Sequence, residues 1–590
     1  MDHSIGSQNT EETGALGCGS QTQGAGVRRH DLDALRAIAM LLGICLHAMA
    51  AYSGLVWVFM DSHQNPAFQQ VTSFIHGFRM QLFFLVSGFF TAMVSTRYGI
   101  WGMLRNRAAR ILVPFLICLF TLIPLVKVVS FLAVTANASH PQNPFFLAIR
   151  DGDIKTIEKC LEQNGSALLE ERESRLKMTP LIWAVLCESE ELVGYFLDRG
   201  ADPMAVSRSG ENPLTYAAML GRLDLLKMIV AKGGDPFQTT KWGRSPWKAA
   251  NQIPAETSTI LWLARGKGLD TGADQSRGNR DVINYLNQLY KKKDLIPEAP
   301  TVAGPPEASH AMATLPGWMQ GYFAWLASGE YVIKIGGARI DLLQENLFDH
   351  LWFLWFLWWL CLVHAGLGWT IHLSGLVMTR PKAGLYSGLL VAVASTLCFQ
   401  AFMNLDYYPR TLNFVVGPDL SGGFIPKPHV FLYYSVFFFF GSWYFRLGDS
   451  GCRLGGSWPF ALGLAALVLF PLLVEANVNG FQNIVLQTLF TWLMVVGSIG
   501  LAHRVFRGES GWFRYLADSS YWLYLIHVPL IIGCQWFLYY WPLPALVKFL
   551  IILIIIIPMM LVSYKLFVRN TIIGRILNGK NPSRIPEKHR

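Results

Sequence analysis

Ten stretches of mostly apolar residues, each close to 20 long, run through this 590-residue chain. They lie at about 34–58, 80–97, 111–135, 350–374, 384–403, 429–446, 458–475, 483–503, 518–538 and 545–567. About 20 such residues in a helix cross a hydrocarbon core of about 30 Å. Inside that core a chain has to satisfy its backbone hydrogen bonds within itself, which leaves helices as the simple solution. The pattern therefore predicts an all-α, polytopic membrane bundle of about ten spans. The loops agree. Arg28 and Arg29 precede the first run, and Arg97, Arg105, Arg107 and Arg110 lie between the second and third. Arg380 and Lys382 follow the fourth, Arg446 and Arg453 the sixth, and Arg504, Arg507 and Arg514 the eighth. Six more basic residues, from Arg569 to Arg590, follow the tenth. Every second loop is basic, which puts these loops and both termini in the cytoplasm. The stretch Phe549–Met560 is almost wholly Ile and Leu and is expected to face lipid.

Charged residues are 15% of the chain, against about 25% in soluble proteins. The net charge of +10 falls mainly in the short loops, so it reads as membrane topology and not as a nucleic-acid surface. Nine cysteines show no Cys-x-x-Cys pair and no regular spacing, so neither a disulfide framework nor a metal site is expected.

Residues 143–293 differ in kind. They hold 21 Lys and Arg and 19 Asp and Glu, as a soluble insert would. They also repeat. Thr179-Pro180-Leu181-Ile182-Trp183-Ala184 recurs as Asn212-Pro213-Leu214-Thr215-Tyr216-Ala217 and as Ser245-Pro246-Trp247-Lys248-Ala249-Ala250, in steps of 33 residues. Gly200-Ala201-Asp202-Pro203 recurs 33 residues later as Gly233-Gly234-Asp235-Pro236. A first copy starts at Asn143. This period and this start resemble ankyrin repeats, an α-solenoid of turn and helix pairs that presents a protein-binding surface. The Pro- and Ala-rich stretch from 294 reads as a linker. Three spans precede the insert, so the loop-charge rule places it outside the cytoplasm.

The first span carries Asp33, Arg36 and His47. Eleven residues are three turns plus about 20°, so Arg36 and His47 share one face, about 16 Å apart along the axis. With Arg36 at the cytoplasmic edge, His47 is expected near the middle of the hydrocarbon core. An ionisable residue there marks a functional site or a packing histidine bonded to a neighbouring span, and imidazole is suited to moving protons near neutral pH. Arg107 and Arg110 sit three apart at the expected start of the third span, where guanidinium forks and a helix N-terminus both favour phosphate. Basic anchoring of the membrane edge is the plainer reading of each. His350 and Trp352 open the fourth span within His350-Leu351-Trp352-Phe353-Leu354-Trp355-Phe356-Leu357, and His527 lies within the ninth.

Together these segments resemble the membrane-bound acyltransferase 3 family, over about 30–135 and 340–580. The resemblance rests on Leu32-Asp33-Ala34-Leu35-Arg36 with His47, on Phe83-Phe84-Leu85-Val86-Ser87-Gly88-Phe89, on the Arg107/Arg110 pair with Pro114, on the His350 segment, and on Ser520-Tyr521-Trp522-Leu523-Tyr524-Leu525-Ile526-His527. The His350 segment and Val568-Arg569-Asn570-Thr571-Ile572-Ile573-Gly574-Arg575 look most like its glucan biosynthesis protein C branch, which is associated with succinylation of periplasmic glucans. Members that acetylate polysaccharides often carry a Glu where this chain has Leu357.

The resemblance implies transfer of an acetyl or succinyl group from cytoplasmic acyl-CoA to a hydroxyl of an extracytoplasmic glucan or other polysaccharide, in a bacterial inner membrane. His47 is then the general base, or alternatively an acyl carrier, and Arg36, at the channel mouth, completes the catalytic set. Arg107, Arg110 and Arg36 bind the CoA head, and no metal takes part. Asp33 holds Arg36, Ser87 supports the site, and His350 and Trp352 lie toward the acceptor. His527 is either a second polar wall or structural. The implied partners are the carbohydrate acceptor, the bilayer and a protein on the ankyrin face, with no nucleic acid. The implied division is 1–29 tail, 30–135 spans one to three, 143–293 ankyrin insert, 294–340 linker and re-entry, 341–580 spans four to ten, and 581–590 basic tail. The rival reading is a non-catalytic scaffold or transporter with an ankyrin docking arm.

Overall fold

The computed structural model describes residues 29–53, 57–58, 61, 63, 65–138, 143–173, 177–207, 210–239, 245–251, 273–293, 317, 319, 321–322, 325, 332–335, 338–342, 347–374, 384–405, 416–418, 421–475, 480–506, 508 and 511–578. The expected N-terminal tail before Arg29, the Pro-rich linker, the basic tail 581–590 and the loop cations Arg28, Arg380, Lys382 and Arg507 lie outside these.

Helices stand at all ten expected places: α1 (His30–Ala50), α2 (Pro66–Arg107) and α3 (Val113–Ala138) before the insert, then α12 (Trp352–Leu373), α13 (Leu385–Leu405), α14 (Pro428–Leu447), α15 and α16 (Trp458–Leu464, Phe470–Glu475), α17 (Gly480–Val505), α18 (Gly511–Leu538) and α19 (Ala545–Ser563). Seven apolar stretches among the described residues are long enough to cross a membrane, and one of them, Pro66–Ala133, is 68 residues long and holds two expected spans. The count of ten is thus approximate. The expected run 429–446 is diluted by polar and aromatic side chains, and Trp458–Val474 is shorter than a full span. A short α20 (Ile572–Asn578) follows α19.

Three expectations change. The first helix stops at Ala50, not 58, because Ala51–Ser53 turn: Tyr52 N–H donates to the Met49 carbonyl and Ser53 Oγ to the Ala50 carbonyl, both at 2.9 Å. His47 is therefore in the last turn of α1, about 25 Å from its start. The Ile/Leu run of α19 does not face outward all round, since Ile552, Ile556 and Met560 form a buried stripe at helical spacing while Ile554 and Ile555 are exposed. The re-entry segment holds a two-stranded antiparallel ribbon, β1 (Val332–Ile335) and β2 (Ala338–Asp341), with Val332 opposite Asp341.

Cross-links at both ends fix how the membrane helices alternate. At one end Asp31 accepts two hydrogen bonds from Arg29, at 2.9 and 2.8 Å, and sits 3.0 Å from His503 Nδ1 at the end of α17. At the other, Asp61, just after α1, pairs with Lys548 at the start of α19. The tightest helix contact joins α2 to α14. A Cβ on Gly88 would lie 1.8 Å from the Phe438 carbonyl oxygen, and one on Gly441 would lie 1.9 Å from that of Leu85. Glycine lets the two backbones touch, as small residues do between membrane helices.

The insert repeats as its sequence does. Helix pairs α4/α5 (Pro144–Asp151, Ile154–Asn164), α6/α7 (Pro180–Leu186, Glu190–Asp198) and α8/α9 (Pro213–Met219, Leu223–Ala231) are followed by α10 (Pro246–Asn251) and α11 (Ala273–Lys292). Each first helix of a pair begins with proline behind a capping side chain: Asn143 accepts from Phe145 N–H at 2.9 Å, Thr179 from Ile182 N–H at 3.4 Å and Asn212 from Thr215 N–H at 2.9 Å. Gly200 and Gly233 turn the chain between repeats at φ 87° and 99°, which side-chain-bearing residues avoid. Leu181, Leu214, Leu192 and Leu225, at matching repeat positions, fill one shared core.

Candidate active site

Three histidines from three distant segments meet. His527 of α18 lies between His47 of α1, 5.2 Å away centroid to centroid, and His350, just ahead of α12, 5.3 Å away. Two tautomers follow from their partners. His527 Nδ1 is 2.6 Å from the Tyr524 carbonyl and His350 Nε2 is 3.0 Å from the Leu525 carbonyl. A carbonyl only accepts, so both nitrogens carry the proton, and in the neutral rings His527 Nε2 and His350 Nδ1 keep a lone pair. Those two atoms and His47 Nδ1 are buried without a hydrogen-bond partner. Buried polar atoms of this kind are rare in folded chains and mark where a ligand or water completes the site.

The surroundings hold the three rings in place. Gln535 donates to the His47 and Ala48 carbonyls at 3.0 and 3.2 Å and accepts from Trp57 Nε1 at 2.9 Å, while the Trp57 ring lies 5.2 Å from that of His47. Tyr524 Oη donates to the His350 carbonyl at 2.6 Å. Asp349, ahead of His350, adopts φ 44° and is gripped by Lys127 of α3 at 2.9 Å. Trp352 packs on Phe84, Phe356 and Tyr434 in an aromatic layer.

The guanidinium cluster forms at the other end of α1. Arg107 lies close enough to Arg110 and Arg36 for their charges to repel. Arg107 Nε and Nη2 are buried and unpartnered. Asp33 Oδ1 is 3.6 Å from Arg36 Nη2, beyond a hydrogen bond. Arg110 sits in a π turn, Ala108–Leu112, that joins α2 to α3, and Tyr521 Oη donates to its carbonyl at 2.8 Å. Such turns recur at functional sites. The expected helix start at this pair is not what forms. The helix breaks earlier, at Gly99 (φ 70°, ψ 178°), and runs on through the π turn. The start of this helical stretch thus lies about 10 Å before Arg107.

One line connects the two ends. Arg36, Gly43 and His47 share a face of α1, and Arg79 and Phe90 share a face of α2. The faces run antiparallel: the Arg36 guanidinium lies 5.9 Å from the Phe90 ring, and a Cβ on Gly43 would be 2.0 Å from Arg79 Nη1. Ser87 sits half-buried beside this face. His47, Arg79 and Arg107 are each only partly buried within the bundle. Sequence reading brought His47, Arg36, Arg107 and Arg110 forward but missed Arg79, Gln535 and His364, the last within electrostatic reach of Arg107. Arg79 had a signal, a lone cation between Phe78 and Met80 at the head of an apolar run.

A family model described as an acyltransferase domain matches residues 29–148 and 310–568, more than half of the chain. The chain belongs to this acyltransferase family. A second model, ankyrin repeats in three copies, matches 145–240, overlapping the first by four residues and otherwise lying in its interruption. Glucans biosynthesis protein C of Escherichia coli strain K12 is 36% identical over 105 residues, which cover 18% of this chain and 26% of that protein. The protein of the same name in the O1:K1 / APEC strain matches equally. The chain thus spans about a quarter of the length of these curated relatives. Family and apolar helices together make this acyltransferase-family chain a multi-pass membrane protein.

Proposed function

We propose that this protein is an integral membrane O-acyltransferase. It takes an acetyl or succinyl group from acyl-CoA at the Arg36, Arg107 and Arg110 end and delivers it to a hydroxyl of a glucan or other polysaccharide at the histidine end. The observation that carries this reading is the inner line from the unpartnered guanidinium nitrogens of Arg107 to the unpartnered imidazole nitrogens. Its length, about 16 Å along α1, suits an extended pantetheine arm. The donor set fits a CoA head: three arginines offer forked N–H groups, with Asp33 as the carboxylate neighbour of Arg36 alone.

His47 accepts the proton of the acceptor hydroxyl as its oxygen bonds to the thioester carbonyl carbon. The C–S bond then breaks, and His47 returns the proton to the departing thiolate. His527 Nε2 and His350 Nδ1 accept hydrogen bonds from further hydroxyls and orient the sugar. Loop charge supports a cytoplasmic donor side, cytoplasmic termini and an extracytoplasmic insert, and the family resemblance alone supports a bacterial inner membrane as the setting. The ankyrin face recruits a protein partner there. Sugar specificity is drawn from the relative's name alone.

Purified protein in detergent, titrated with acetyl-CoA and succinyl-CoA, tests the donor site. Saturable binding, weakened at least tenfold in Arg107→Ala/Arg110→Ala, is the expected result. Absence of binding by well-folded protein would return the scaffold or transporter reading. Turnover by a folded His47→Ala variant would remove the general base.

A further inference from the structure

Arg79 has no role so far, and its surroundings demand one. It lies within the long apolar stretch of α2, its Nε is buried and unpartnered, and no carboxylate pairs with it among the described residues. The groups close enough to act on it electrostatically are Tyr434, Tyr524, His47 and His527. A buried cation without a counter-charge is costly in a membrane bundle and is kept where a ligand supplies the missing charge. The fold makes room for it: only hydrogen at position 43 leaves space for Nη1, since a Cβ there would lie 2.0 Å away. Gly43 is one turn before His47 on the same face of α1, about 6 Å toward the arginine cluster. Arg79 thus stands just on the donor side of the base.

We propose that Arg79 is a catalytic residue that binds the thioester carbonyl oxygen and stabilises the negative charge it gains when the acceptor hydroxyl adds to the carbonyl carbon. The charge is transient and returns to a carbonyl as the C–S bond breaks, so Arg79 neither gains nor loses a proton. A fixed cation at that point, with little water to compete, acts more strongly on the transition state than on the bound thioester. Gly43 is a positioning residue, keeping the guanidinium within reach of the reacting carbonyl.

This rests on the acyl-transfer reading, and one experiment separates the two. Full-length protein in detergent is given acetyl-CoA or succinyl-CoA with a β-linked gluco-oligosaccharide. Thiol release and acylated sugar are followed, and thioester binding is measured alongside as proof of folding. In Arg79→Gln, kcat is expected to fall roughly 10²–10³-fold with both donors, while thioester binding stays within about threefold. Arg79→Lys is expected to recover part of the loss. Gly43→Ala, which keeps the arginine but displaces it, is expected to lower kcat in the same way. Wild-type kcat in folded Arg79→Gln would overturn the proposal. So would a loss confined to succinyl-CoA, which would make Arg79 a reader of the acyl carboxylate, or a loss of thioester binding equal to the loss of kcat. No transfer by the unaltered protein would overturn the acyl-transfer reading, and this proposal with it.

Discussion

Lys548 Nζ lies 2.7 Å from Asp61 Oδ2, and both side chains are wholly shut off from solvent. The ammonium also lies 3.3 Å from the Tyr539 carbonyl, and Asp61 N–H donates to the Ala51 carbonyl at 2.9 Å. The pair therefore ties the end of α1, one turn past His47, to the start of α19. Removing one partner strands the other. Lys548→Met is expected to cost about 3–5 kcal/mol, read as a marked fall in melting temperature in detergent. Adding Asp61→Asn should recover much of that loss, and a double variant no better than the single would show that the charge pair is not the cause.

Gly88 and Gly441 face opposite backbones, which cannot move aside as a side chain would. Alanine at either position is expected to force α2 and α14 apart and lower stability by about 1–3 kcal/mol. Alanine at Gly463, where a Cβ meets nothing within 4 Å, is the control and should be close to neutral. Thermal unfolding of the three variants side by side decides the matter.

Gln535 touches His47 only through its backbone carbonyl. Gln535→Leu removes two donated bonds and the acceptor of Trp57 Nε1 without touching an imidazole. The expected outcome is a fall in kcat of about tenfold, the scale of one net hydrogen bond of about 1.4 kcal/mol. CoA-thioester binding should be unchanged. Loss of binding together with rate would mean that the residue supports the whole bundle and not the base.

Asp449, in the turn after α14, gives a pH test outside the spans. Burial pushes its carboxyl upward, but hydrogen bonds from Leu454 and Arg453 N–H, the Arg453 side chain and Tyr444 Oη outweigh this and hold it below its ordinary value. A depressed carboxyl stabilises the fold fully above its unfolded value of about 3.9, and that contribution is lost as pH falls through the lower folded value. Melting temperature should drop below about pH 3.9 more steeply in wild type than in Asp449→Asn. Parallel curves would refute the assignment.

The apolar runs made the helices legible because hydrophobic length is a local property, and the 33-residue period did the same for the repeats. What stayed hidden was long-range. His47, His350 and His527 are brought together by packing of α1 on α18 and by the hydrogen bonds that tie the turn ahead of α12 to α18, which no spacing along the chain encodes. Arg79 escaped because the second run was counted from Met80, which turned a buried cation into a flank. Gly99 was read as part of a loop, so the break it makes and the true start of the following helix were missed.

The crowding of Arg36, Arg107 and Arg110 has a kinetic consequence. A mouth built from like charges is lowest in energy when an anion sits in it, and on the proposed reading that anion is the CoA phosphates. Loaded and spent carriers bear the same phosphates, so this end of the protein cannot tell them apart. Throughput then follows the ratio of acyl-CoA to free CoA in the surrounding pool more than the amount of either. The membrane protein would meter the acylation state of that pool and pass it on to the sugars outside.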